Sequence, residues 1–226
     1  MRLFTFAALL GLAACESNEN VVPTNVVWMD WPAEVQVNEP FRTRLVVSQP
    51  CAIIRGFVPS ATAQTTTVTF APYFLVDKDP IYCASYGEVT SEFDFTVNIP
   101  LDTAGTAPGL LERVYEMRAG APSCAVCLSL NAFPWQTFGY VTARAEPPPP
   151  TVVRNAAGTV FAERDSVGCT RIRPAGLLAP NAAIVVENPP DTIPPYAFVR
   201  GYIYQPAAPV CGEPTVFHVT GQYTGG

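Results

Sequence analysis

The chain contains a single histidine, His218, among 226 residues, and only 14% of its residues are charged. One imidazole excludes a histidine-rich zinc site by count. It also forces any Ser-His-Asp or Cys-His chemistry to pass through His218. The strand-like run Val216-Phe217-His218-Val219 sets that histidine opposite Phe217 and Val219, on a solvent-facing side. Basic residues are also scarce: 13 Lys and Arg stand against 19 Asp and Glu, for a net charge of −6. Nucleic acid is excluded as a partner, because phosphate binding needs clustered Lys and Arg. No basic cluster is present to dock on anionic lipid. Gly-rich phosphate loops are absent. No apolar run reaches the roughly 20 residues of a membrane-spanning helix.

What the chain does have is apolar content of 49%, enough for a core, together with seven cysteines and 24 prolines. Its N-terminal segment, residues 1–14, reads as a secretory signal. Arg2 supplies the positive end, Leu3 to Leu12 the apolar stretch, and Ala13 and Ala14 the small residues of a cleavage site. The run Leu12-Ala13-Ala14-Cys15 resembles the lipobox of bacterial lipoproteins. That resemblance implies a lipid anchor on Cys15: a diacylglyceryl group on the thiol and a further palmitate-type acyl chain on the amine. Two or more chains give a stable anchor where one gives marginal binding. The expected address is the cell envelope, with the membrane as partner through the N-terminal lipid. In that family an Asp after the cysteine retains the protein at the inner membrane, so Glu16 points to the outer membrane.

With Cys15 lipidated, six cysteines remain: Cys51, Cys83, Cys124, Cys127, Cys169 and Cys211. An even number in an exported chain suggests disulfides. Four precede the proline run Pro147 to Pro150 and two follow it, so Cys169 most simply pairs with Cys211. Cys51 is assigned to Cys83 and Cys124 to Cys127.

The expected fold is all-β. Residues 15–25 read as a polar, lipidated tether. Residues 26–145 show strand alternation. Phe41, Leu45 and Val47 share a face; so do Phe93, Phe95, Val97 and Ile99, with Glu92, Asp94, Thr96 and Asn98 opposite. The segment Leu110 to Ala119 fits either a short helix or a strand, and the strand is preferred. Short strands punctuated by Pro and Gly turns suggest a sandwich. Their order resembles the immunoglobulin-like domains of bacterial surface proteins. Residues 146–150 form a proline linker, a polyproline spacer of about 12 Å. Residues 151–226 run through Gly158-Thr159-Val160, Cys169-Thr170-Arg171-Ile172, a strand ending Asn188-Pro189-Pro190, Val199-Arg200-Gly201, Cys211 and Val216 to Val219. This pattern resembles the OB-like disulfide-linked barrels of bacterial lipoproteins.

Further candidates carry less specific chemistry. Cys124-Ala125-Val126-Cys127 is a C-x-x-C, which in thioredoxin-like enzymes opens a helix that lowers the thiol pKa. Here it lies amid strands, so a structural disulfide is preferred over thiol–disulfide exchange. Asp77 and Asp79, like Glu163 and Asp165, sit two apart and could share a calcium ion, yet both pairs lack further oxygen ligands; solvated turns are preferred. Trp28, Trp31 and Trp135 could form a sugar-binding platform, though core or edge packing is preferred. The combined expectation is a non-enzymatic, membrane-anchored envelope lipoprotein without cofactor or metal. It would contact an envelope protein or glycan, or give structural support. The alternatives are a redox protein working through Cys124 and Cys127, or an oligosaccharide-binding module.

Overall fold

The computed structural model describes residues 19–49, 54–58, 61–64, 66–77, 89–99, 112–120, 135–148, 153–177, 183–190 and 193–223. Every regular element among them is a strand, so the all-β expectation holds. The strands are β1 (Glu19–Pro23), β2 (Asn25–Pro32), β3 (Glu34–Gln36), β4 (Pro40–Gln49), β5 (Ile54–Val58), β6 (Ala61–Ala63), β7 (Thr67–Phe70), β8 (Tyr73–Asp77), β9 (Val89–Asn98), β10 (Glu112–Ala119) and β11 (Gln136–Arg144). After the proline run come β12 (Arg154–Arg164), β13 (Thr170–Pro174), β14 (Ile184–Glu187), β15 (Ala197–Tyr204) and β16 (Val216–Tyr223).

The N-terminal half is layered. Strands β2, β4 and β9 pair antiparallel. They pack over a second sheet ordered β3-β11-β10-β7-β6. That second sheet is mixed, because β10 runs parallel to β7 and β11 parallel to β3. The core between the layers takes Phe41, Leu45 and Val47 from β4 and Phe95 and Val97 from β9. From the opposite layer it takes Phe70, Tyr115, Met117 and Phe138. Alternation decides which residues enter it: Phe95 and Val97 are buried while Glu92, Asp94, Thr96 and Asn98 face outward. Of the segment that fits either a helix or a strand, the described part, Glu112–Ala119, is β10.

One expectation is corrected. Residues 19–23, assigned to the polar tether, form β1 and pair antiparallel with β8 from Glu19↔Asp77 to Pro23↔Tyr73. The β-branched pair Val21-Val22 supplies the strand preference that the preceding Asn and Glu residues obscure.

The C-terminal half closes on itself in the order β12-β13-β14-β16-β15, with β12 pairing back to β15. Only β14 and β16 run parallel; the other neighbours are antiparallel. This is the expected five-stranded, OB-like barrel, and closure leaves it no open sheet edge. Its core holds Val160, Ile172, Val186, Val199, Ile203 and Phe217.

The proline run joins two halves whose sheets are continuous. The first part of β12 pairs antiparallel with β2, from Arg154↔Pro32 to Gly158↔Trp28, and the second part pairs with β13. The change of partner falls at Gly158. A Cβ there would sit 2.2 Å from the Val27 carbonyl oxygen, so only glycine lets β2 come this close. A register shift between Val26 and Trp28 rotates β2. Val26, Met29 and Trp31 therefore enter the first core, whereas Trp28, with Val46 of β4, enters the barrel core.

Candidate functional site

The outer wall of the barrel brings together a group of polar and aromatic side chains. Alternation builds it. Phe217 is fully buried inside the barrel, so His218 points outward from β16. Register sets Glu187 of β14 on one side of His218 and Tyr202 of β15 on the other. Tyr204, two residues along, shares the Tyr202 face. Next to Tyr202, Gly201 marks a register shift, and a Cβ there would lie 2.0 Å from the His218 carbonyl oxygen. Glycine is thus what lets β15 settle on β16 beneath the cluster.

The rings of Tyr202 and His218 stack with centroids 4.9 Å apart and 22° between planes. Tyr204 lies 5.5 Å from Tyr202, tilted by 53°. Tyr204 donates its hydroxyl to Glu187 Oε2, and His218 Nδ1 lies 3.3 Å from the same oxygen. Among the described residues no donor engages Glu187 Oε1. The hydroxyl of Tyr204, followed by the hydrogen bond and charge of His218, holds the Glu187 carboxyl below its ordinary range. The same bond, with desolvation, pushes the Tyr204 phenol up to about 12. The result is a pre-oriented anionic acceptor beside a strip of aromatic rings.

At one end of the barrel the loops β12–β13 and β15–β16 are stapled together. Cys169 and Cys211 form the expected disulfide, with Cα atoms 6.2 Å apart. Arg171 reinforces it, reaching Asp165 at 3.4 Å and Glu213 at 3.1 Å. Asp165 accepts from the amides of Cys169 and Val167, the first bond being the main cause of its lowered pKa. It therefore shapes a turn, and Glu163 is exposed beside it.

A second polar group lies where the two halves meet. An open cleft of about 460 Å³ is lined by Asp30, Arg42, Arg44, Asp94, Arg154 and three barrel residues. The Asp30 side chain is nearly buried and is held by Arg44 and Arg154. Arg44 also reaches Glu92 at 2.8 Å, and Arg42 pairs with Asp94, so the charges in this cleft are matched internally.

The remaining candidates separate. Trp28 and Trp31 are interior and form no surface platform. The Trp31 indole donates to the Tyr140 carbonyl at 3.0 Å, tying β2 to β11. Trp135 is 39% exposed just before β11, away from both. Asp77 ends β8, but Asp79 falls outside the described residues, as do Cys15, Cys51, Cys83, Cys124 and Cys127. Among the described residues no group of three or more His, Cys, Asp or Glu side chains is placed to hold a metal ion. Glu187, Tyr202 and Tyr204 were not singled out in the sequence. The alternation Tyr202-Ile203-Tyr204 puts both tyrosines on one face and is the signal that could have found them. No protein-family model matches the chain, nor does any curated protein or solved structure.

Proposed function

We propose that this protein is a non-enzymatic envelope lipoprotein, anchored by acyl chains on Cys15, whose all-β body makes contacts at the membrane surface. The observation that carries the reading is the run Leu12-Ala13-Ala14-Cys15 closing an apolar leader. The Cys169–Cys211 disulfide supports it, because such bonds persist in oxidising, exported compartments. Glu16 after the cysteine favours the outer membrane.

A binding role is favoured over simple support by the barrel wall. Half-exposed Glu187, Tyr202, Tyr204 and His218 converge there from three strands. Recognition groups held on strands are positioned more firmly than groups on loops.

Detergent phase partitioning of the protein expressed in a bacterial host tests the anchor. The wild type should enter the detergent phase, and Cys15→Ala should remain aqueous. A wild type that stays in the aqueous phase overturns the reading.

A further inference from the structure

We propose that the outer wall of the barrel at Glu187, Tyr202, Tyr204 and His218 binds a neutral carbohydrate, whose hydroxyls donate to Glu187 and whose C–H face packs on the tyrosine rings. This inference rests on the binding role proposed above and names its ligand class.

The chemistry of the acceptor narrows the choice. An ionised carboxylate only accepts hydrogen bonds, so its ligand must supply donors. Glu187 Oε2 is already engaged by Tyr204 and lies beside His218, which fixes the carboxylate plane. Oε1 has no donor among the described residues, so its lone pairs are left for something else. The Glu187 side chain is 23% exposed and that of His218 35%, so a ligand can reach both. Anionic ligands meet repulsion from Glu187 and from a chain of net charge −6.

Cationic donors such as ammonium groups and neutral donors such as hydroxyls both satisfy the carboxylate. Cation recognition uses open ring faces that surround the charge. Here one face of Tyr202 is already covered by the His218 imidazole. The 5.5 Å between the Tyr202 and Tyr204 centroids leaves no gap for an ammonium group between them. The rings form a continuous strip, not a box. A strip of flat, amphipathic rings beside a fixed acceptor suits a sugar, which presents an apolar C–H face and hydroxyls at its rim. Gly201 strengthens the case for a built surface, since the close approach it permits brings Tyr202 over His218.

The test is isothermal titration calorimetry on the full chain, held in an uncharged detergent without a sugar headgroup. The probes are chitotetraose, cellotetraose and maltotetraose, with tetramethylammonium as the cationic comparison. At least one tetraose should bind saturably. Glu187→Gln should weaken it roughly tenfold, the loss expected for one hydrogen bond to a charged group, and Tyr202→Ala should abolish it. Val167→Ala, on an exposed loop tip, should leave it unchanged. Should Tyr202→Ala fail to fold, Glu187→Gln alone decides. The proposal is overturned if no tetraose binds, if tetramethylammonium binds instead, or if Glu187→Gln binds as tightly as the wild type. Failure here leaves the acylation of Cys15 intact, whereas a missing acyl group sinks the anchor reading whatever the calorimeter shows.

Discussion

Asp30 and Arg154 meet at 2.8 Å across the seam between β2 and β12, although 124 residues separate them in the chain. Arg154 also donates to the Asp30 carbonyl at 3.1 Å and to that of Arg42 at 3.3 Å. The two halves are therefore joined by side chains as well as by backbone pairing. Asp30→Ala leaves Arg44 and Arg154 facing a buried gap. Breaking a buried pair costs about 3–5 kcal/mol, and the partial exposure of both arginines lowers the expectation to about 2 kcal/mol. Urea unfolding should show that loss, and a change within experimental error would refute the seam's importance.

The burial of Trp28 within the barrel core makes a second expectation. Trp28 comes from β2, yet packs 5.7 Å from Phe217 of β16, centroid to centroid. Trp28→Ala should destabilise the protein by about 3–5 kcal/mol. Because β2 belongs to both cores, wild-type unfolding should follow one transition by near- and far-UV circular dichroism alike. Two well-separated transitions would show that the halves are energetically independent.

Reducing the Cys169–Cys211 bridge frees a loop of sequence separation 42. The chain-entropy model assigns such a loop about 4 kcal/mol. Cys169→Ser with Cys211→Ser should lower stability by up to that amount in chemical denaturation, while the far-UV spectrum keeps its β signature. A double variant as stable as the wild type would mean that Arg171 and its two carboxylates hold the loops unaided.

The Tyr204–Glu187 bond sets a pH dependence. The raised phenol pKa means that its contribution is full below the ordinary tyrosine value of about 10. It is lost as pH rises through about 12. The lowered Glu187 pKa acts at the other end: its contribution is present above the ordinary carboxylate range and is lost as pH falls through the depressed value. Ultraviolet titration of tyrosinate should show one group near 12 that disappears in Tyr204→Phe and moves back toward 10 in Glu187→Gln. An unchanged titration curve in Glu187→Gln would break the link between the two groups.

Strict alternation made the buried face of β9 legible, because each residue of Phe93 to Ile99 carries its own polarity signal. The barrel was legible through its resemblance to the small barrels of bacterial lipoproteins, helped by two cysteines that most simply pair with each other once the proline run divides the chain. The β2–β12 pairing was not legible. It depends on a one-residue register shift near Val27 and on the close approach at Gly158, and neither leaves a mark in hydrophobic periodicity. Trp28 and Trp31, three apart, look alike in sequence yet enter different cores for that reason. The wall cluster was half legible. His218 drew notice as the single histidine, but its neighbours Glu187 and Tyr202 come from other strands, and only the strand order β14-β16-β15 sets them in one row.

Intact-mass spectrometry of the mature protein, with and without thiol reduction, addresses the central claim most directly. The account predicts a chain beginning at Cys15 that carries the mass of a diacylglyceryl group and a further acyl chain, and that gains hydrogen mass on reduction as disulfides open. A mature protein that retains residues 1–14 with an unmodified Cys15 would contradict it.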